Sequence, residues 1–203
     1  MCNVLYAQSL SDAAKDAVWT LFSENMGAQY RDANCWDESA KKGELFHTDS
    51  RYLLVWGKGS EVQNTQSATG NALRGYVMWR FDTDPSDDGD AHGLVPVAYW
   101  CAYADSYELQ VAHAYQRSGL GAALMHALEC VGTAGGMHKV VLTVFVNNRG
   151  ARRFYRRQGY ATDETSPEEE ESIVGASPGR YPPNAYMILS KALRERAEHP
   201  GKQ

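Results

Sequence analysis

The stretch from Gln116 to Gly121 reads Gln-Arg-Ser-Gly-Leu-Gly. It lies between a strand-like run, Tyr107 to Val111, and a helix-like run, Ala122 to Val131. A strand that turns on glycines into a helix start makes an anion site. The first N–H groups of a helix have no intrahelical partner, and the macrodipole adds roughly half a positive charge there. Gly119 and Gly121 lack a Cβ, so the backbone can approach a phosphate closely. Two nucleotide loops are set aside. No lysine follows Gly121, as a Walker loop requires. Leu124 stands where a dinucleotide loop needs its third glycine. What remains is a diphosphate cradle or an ordinary strand-to-helix turn.

Two hundred and three residues, 43% apolar and 22% charged, suit one domain with a sizeable core. The expected division is a domain over 1–192 and a charged tail over 193–203. No apolar run reaches the ~18 residues of a membrane span. Met1-Cys2-Asn3-Val4 has neither a basic region nor a long apolar one after it, so no secretory leader is expected. The cysteines, Cys2, Cys35, Cys101 and Cys130, are scattered, which argues against zinc and for reduced thiols. Cys101 and Cys130 lie in apolar runs and are expected in the core. The net charge of −5 disfavours a basic nucleic-acid face and suits a basic partner.

Along the chain, Ser11-Asp12 is expected to cap a helix reaching Met26, with Ala14, Val18, Leu21 and Phe22 on one face. A short helix follows Asp37. Strands are expected over Arg51–Trp56, Leu73–Asp82, Leu94–Ala104 and Tyr107–Val111, with Gly75 marking a bulge or a close backbone approach. Asp84 to Asp90 reads as an acidic turn. Leu120, Leu124, Leu128 and Val131 form one apolar helix face, ended by Gly132 and Gly135-Gly136. Lys139–Val146 reads as a central strand covered on both faces. Asn147 or Asn148 can cap a helix over Arg149–Gln158, closed by Gly159. Tyr160 begins another strand, Thr162 to Pro183 a long acidic loop, and Ala185–Leu189 the last strand. The pattern predicts an α/β domain with a mixed, mostly antiparallel sheet of about six or seven strands flanked by helices.

A second block, Asn148-Arg149-Gly150-Ala151-Arg152-Arg153-Phe154-Tyr155-Arg156-Arg157-Gln158-Gly159-Tyr160, follows the apolar strand directly. With the Gln116–Gly121 loop before it, the chain resembles the GCN5-related N-acetyltransferase superfamily, whose pattern here is Asn-x-x-Ala-x-x-Phe-Tyr-x-x-x-Gly-Phe. The resemblance implies the GNAT fold, acetyl-CoA as acetyl donor and no metal. Tyr107-Glu108-Leu109-Gln110, Gly119-Leu120-Gly121, Val141 to Phe145 and Tyr186 to Ser190 narrow it. They resemble the NatD-type N-alpha-acetyltransferases, which modify the N-terminal serine of histones 4 and 2A, chains beginning Ser-Gly-Arg-Gly. That implies basic histone tails as partners, no direct nucleic-acid or membrane contact, a monomer, and a place in nucleus and cytoplasm. Three residues depart from the family: Asp105 stands where animal enzymes carry a tyrosine, Gln116 replaces an arginine, and Tyr155 replaces a phenylalanine.

The chemistry needs a neutral amine. A free α-amino group titrates near ~7.7–8.0, so on the order of a tenth to a fifth is neutral at pH 7. Glu108 is the expected general base, on the strand before the loop, among apolar neighbours that disfavour its charged form. The competing reading is a strand glutamate paired with a basic side chain. The resemblance makes Tyr155 a candidate donor to the leaving sulfur, against plain packing of a helix tyrosine. Gln116, Arg117, Ser118, Gly119, Leu120, Gly121 and Ala122 are expected at the pyrophosphate. Leu109 and Val111 are expected to pair their backbone with the pantetheine arm, and Asn148 to contact the coenzyme. Asp82, Asp84 and Asp105 suit an arginine two residues into the substrate. Tyr30, Trp36, Tyr107 and Tyr186 would wall its small first residues, or simply pack the core. The run Glu168 to Glu171 is either solvated loop or a steering patch. A small-amine acetyltransferase and a non-catalytic acyl-CoA or histone-tail binder share these features and stay open at this level.

Overall fold

The computed structural model describes residues 4–58, 71–85, 94–100, 108–167 and 186–193. Ser11 Oγ accepts the Ala14 N–H at 3.2 Å and opens α1 (Asp12–Asp32). The expected face of Ala14, Val18, Leu21 and Phe22 is buried. The helix runs past Met26 because its last turns carry Tyr30, which is buried edge-on against Phe22 and Phe145. Tertiary packing, more than local propensity, sustains such a turn. Asp37 accepts the Ala40 N–H at 2.9 Å and opens α2 (Glu38–Leu45).

Eight strands follow the order β1-β2-β3-β4-β6-β8-β7, with β5 paired to β3 off that path. They are β1 (Leu5–Tyr6), β2 (Arg51–Lys58), β3 (Asn71–Pro85), β4 (Leu94–Trp100), β5 (Leu109–Val111), β6 (Lys139–Phe145), β7 (Ala161–Thr162) and β8 (Tyr186–Ala192). All pairs are antiparallel except β4 with β6. The sheet is therefore mixed and mostly antiparallel, as expected. The two-residue edge strands β1 and β7 account for a count above the expectation. Between α3 (Leu120–Ala134) and α4 (Arg149–Arg157) runs β6, whose Val140, Val141, Leu142, Val144 and Phe145 are buried. Both α1 and α3 pack on β3.

Gly75 does both things expected of it. The β2–β3 register slips between Val55 and Trp56, leaving Arg74 as the extra residue. A Cβ on Gly75 would stand 2.8 Å from the Gln110 carbonyl oxygen.

Several boundaries differ from the sequence expectation. Asp84 belongs to β3, paired with Val95, because the ladder with β4 outweighs local turn propensity. Helix α3 starts at Leu120, keeps Gly132 inside, and ends at Gly135. Helix α4 stops at Arg157, and Gly159 turns the chain away at φ 89°. Cys130 is exposed rather than core, since α3 buries the opposite side through Leu124, Met125 and Leu128. Cys101, the Glu168–Glu171 run and the tail from 194 onward lie outside the described residues.

Candidate active site

Among the described residues β6 pairs with β4 over Lys139–Leu142. Further along, β5 takes its place beside β3, and among the described residues no ladder joins β5 to β6. The hydrogen bonds of β5 decide which main-chain groups face away from β3. Glu108 and Met78 exchange both backbone bonds, at 2.8 and 3.3 Å, and the Ala112 N–H donates to Arg74 O at 2.9 Å. Antiparallel ladders alternate, so Glu108, Gln110 and Ala112 point their main chain at β3 while Leu109 and Val111 point theirs away. The Val111 carbonyl accepts from Asn25 Nδ2 at 3.1 Å and Gln116 Nε2 at 3.2 Å. That corrects one expectation: Val111 offers an arriving amide its N–H, not its carbonyl. The Leu109 main chain keeps its outward direction.

The loop after β5 builds the cradle. The Ser118 hydroxyl donates to Tyr115 O at 2.6 Å, and Arg117 sits at φ 61°. Gly119, the N-cap of α3, is at φ 89°, with no side-chain cap and open space where a Cβ would be. The first intrahelical bond runs from Ala123 N–H to Gly119 O at 3.0 Å. The N–H groups of Leu120, Gly121 and Ala122 therefore stand ahead of the ladder, as a diphosphate requires. A Cβ on Gly121 would meet Phe154 at 3.4 Å and Leu109 at 3.7 Å, so β5, α3 and α4 converge there. The donors, the open glycine and the outward strand edge all fit coenzyme A.

Glu108 is buried with 6% of its surface exposed. Its Oε1 lies 2.8 Å from Lys41 Nζ, and its Oε2 accepts from Gln110 Nε2 at 2.7 Å. Gln110 in turn accepts from Asn25 Nδ2 at 2.9 Å. Lys41 also reaches Glu44 Oε1 at 2.6 Å and lies over the Phe22 and Tyr30 rings, 5.0 and 5.2 Å from their centroids. Glu108 thus has the basic partner that one reading of it expects, and it stands on β5 next to the outward-facing Leu109 main chain. A carboxylate offers about four acceptor positions, so two donors leave room for a substrate proton.

An aromatic wall joins this cluster. Tyr30 packs edge-on against Trp36 and Phe145, and Trp36 stacks on Phe22. Tyr186 pairs with Phe145 in the β6–β8 register. Tyr30 is thus part of the core, with Trp36 packed against it, and Tyr186 stands beside Phe145 at the end of β6. Asp82 is exposed on β3, two residues past the buried Arg80, and Asp84 lies two further along. Asp105 and Tyr107 lie outside the described residues. Tyr155 is buried edge-on between Phe154 and Tyr160, at 5.1 and 5.9 Å. The Asn148 side chain is committed at both ends. Its oxygen caps α4 through Ala151 N–H at 3.0 Å, and its nitrogen donates to Gln29 Oε1 at 3.3 Å.

Sequence reasoning missed Lys41, Glu44, Gln110 and Asn25 as site residues. Gln110 was findable, since it shares a strand face with Glu108 at a spacing of two. Lys41 and Glu44 carry an i,i+3 signal, but nothing local says that α2 docks on β5. Among the described residues no three His, Cys, Asp or Glu side chains gather as a metal site.

Comparison with known proteins agrees with this geometry. The model of the Acetyltransferase (GNAT) family matches residues 16–160. N-alpha-acetyltransferase 40 of Saccharomyces cerevisiae is 27% identical over a 183-residue alignment that covers 81% of this chain. The chain spans 58% of that relative's length. Among solved structures, Arabidopsis thaliana NAA60 in complex with a bisubstrate analogue superposes with a TM-score of 0.56 at 14% identity, covering 94% of this chain and 98% of that one. Tetrahymena GCN5 gives 0.56 at 10% identity, covering 98% and 99%. These likenesses carry the fold. With most of the chain matched, from the second turn of α1 to the residue before β7, this protein belongs to the GNAT acetyltransferase family.

Proposed function

We propose that this protein is an N-alpha-acetyltransferase that uses acetyl-CoA to acetylate the terminal amine of chains beginning Ser-Gly-Arg-Gly, histones 4 and 2A foremost. A monomer acting in nucleus and cytoplasm goes with this reading. The observation that carries it is the buried Glu108 carboxylate, held by Lys41 and Gln110, one residue from the outward-facing Leu109 main chain. The likeness to yeast N-alpha-acetyltransferase 40 supports the terminal amine as acceptor.

When bound, acetyl-CoA supplies an acetyl group activated as a thioester. The N–H groups of Leu120, Gly121 and Ala122 would hold its pyrophosphate, with Arg117 beside them. The Leu109 main chain and the Val111 N–H would pair with its amide-bearing arm, as an added strand does. Tyr30, Trp36 and Tyr186 narrow the amine's approach and favour a small first residue. Asp82 and Asp84 suit the cation two residues in. Glu108 takes the ammonium proton onto a carboxylate oxygen, leaving a neutral nucleophile.

The test is mass spectrometry of a Ser-Gly-Arg-Gly peptide, and in parallel spermidine, after incubation with acetyl-CoA. Acetyl on the peptide's terminal nitrogen is expected, with spermidine unmodified. Acetylation of spermidine alone, or of a lysine, would overturn the reading. Glu108→Gln should lower kcat by about 10²-fold or more while acetyl-CoA affinity holds within a few fold. Near wild-type turnover would remove Glu108 as the base.

A further inference from the structure

The lysine under Glu108 is shared. Lys41 Nζ bridges Glu108 Oε1 at 2.8 Å and Glu44 Oε1 at 2.6 Å, with 4%, 8% and 11% of the three side chains exposed. Phe22 and Tyr30 close its other sides. Three elements therefore fix one carboxylate: α2 through Lys41, β5 through Gln110, and α1 through Asn25, which orients Gln110. Such fixing has a chemical consequence. A lysine at 2.8 Å stabilises the ionised carboxylate, and a carboxylate held ionised is a weaker base. Glu44 opposes this. It takes up part of Lys41's charge and places a second negative charge near the first.

We propose that Lys41 and Glu44 are paired positioning residues for Glu108: Lys41 orients the carboxylate, and Glu44 restores the proton affinity that Lys41 removes. This inference rests on Glu108 as the general base. In the step it serves, an N–H bond of the substrate ammonium breaks and an O–H bond forms on Glu108. The nitrogen keeps the electron pair. The four facing charges, Lys41 and Arg80 against Glu44 and Glu108, then go from zero to plus one. Arg80 enters through α2's backbone, donating to Glu44 O at 2.7 Å, and through Ser50 Oγ at 3.2 Å.

The remaining groups around the carboxylate are Tyr52 on β2, Tyr76 on β3, and Cys35 and Tyr30 beside Lys41. Burial, then the Glu108 charge, pushes both the Tyr52 and Tyr76 phenols upward. Burial likewise pushes the Cys35 thiol up, against an opposing pull from Lys41. All three stay neutral at working pH, which leaves Lys41, Glu44 and Arg80 as the charges that set the field among the described residues.

The experiment uses two substitutions with opposite signs. The Glu108 carboxyl is followed by its carbon-13 shift against pH, assigned by its disappearance in Glu108→Gln, and kcat/KM is measured against pH on the same proteins. The peptide amine titrates identically in every variant, so any displacement belongs to the enzyme. Lys41→Met should move the Glu108 midpoint and the acidic limb upward by about 1 unit or more. Glu44→Gln should move both downward. A purely structural role predicts loss of stability in each, with no such opposition. Displacements in one direction, or an unmoved midpoint in both variants, would overturn the proposal. Should Lys41→Met fail to fold, Glu44→Gln decides alone: a downward displacement supports the inference, and an unmoved or upward one sinks it. A Glu108→Gln protein with wild-type turnover would instead sink the base assignment, whatever the carboxyl titration shows.

Discussion

Tyr52 and Tyr76 sit with ring centroids 6.0 Å apart and no exposed surface, yet their hydroxyls have different fates. Tyr52 donates to Leu45 O at 2.6 Å and ties the end of α2 to β2. The Tyr76 hydroxyl has no hydrogen-bond partner among the described residues. An unpaired buried hydroxyl costs free energy, whereas a paired one contributes it. Tyr52→Phe should therefore destabilise the fold by about 1–2 kcal/mol, because the Leu45 carbonyl loses its donor. Tyr76→Phe should leave stability unchanged or raise it by about 1 kcal/mol. Denaturant unfolding of both variants checks this. A loss in Tyr76→Phe as large as in Tyr52→Phe would mean that the Tyr76 hydroxyl is satisfied in solution. The contrast bears on the site, since both phenols lie in the field of Glu108.

Among the elements, β5 and α3 carry the site, and each depends on one glycine. At Gly119, with φ 89° and open space around a Cβ, alanine meets no neighbour but must adopt a left-handed backbone. Gly119→Ala should cost about 1–2 kcal/mol of stability and raise KM for acetyl-CoA more than it lowers kcat. At Gly75 the obstacle is steric: the Gln110 carbonyl lies 2.8 Å from the would-be Cβ. Gly75→Ala pushes β5 off β3 and carries Glu108, Leu109 and Val111 with it, so kcat should fall by at least about tenfold and acetyl-CoA affinity should fall as well. Steady-state kinetics with calorimetric acetyl-CoA binding checks both variants; an unchanged kcat in Gly75→Ala, or an unchanged KM for acetyl-CoA in Gly119→Ala, would refute these roles. These elements were legible because their signals are local. Ser11, Asp37 and Asn148 each cap the helix that the sequence places after them. The glycines mark the bulge and the cradle. The Lys41–Glu108 pair was not legible, since it joins residues 67 positions apart and depends on how α2 docks. Nor was the length of α1, whose last turn is held by Phe145 from β6. Long-range packing leaves no periodicity in the chain that it acts on.

In the molecule as a whole, β4 joins β6 to the rest of the sheet and, among the described residues, no ladder joins β5 to β6, so the β6–β8–β7 strands depend on their own contacts. They are closed at their outer edge by the buried Asp163. The Asp163 N–H donates to Ile188 O at 3.0 Å, and its Oδ1 accepts from Thr165 Oγ1 at 2.6 Å and Thr165 N–H at 3.0 Å. Its Oδ2 lies 3.5 Å from Lys139 Nζ on β6. Burial pushes the Asp163 carboxyl up, but hydrogen bonds from Ser190 and Thr165 and the Lys139 charge outweigh it and hold the group below its ordinary value. The native state therefore binds this proton less readily than the unfolded chain does. Its contribution to stability is complete above the unfolded carboxyl's pKa, near ~3.9, and is lost as pH falls through the native value. Asp163→Asn preserves shape but gives up the charge-assisted bonds. At neutral pH it should lower the unfolding free energy by about 1.5–3 kcal/mol. The difference from wild type should shrink as pH falls from about 4, because the wild-type carboxyl is then protonated as well. Denaturant unfolding at a series of pH values measures that difference directly. If it stayed constant down to the lowest pH at which the protein folds, the aspartate would be acting through shape and neutral hydrogen bonds alone. The outer edge of the β6–β8–β7 strands would then rest on packing rather than on a charge.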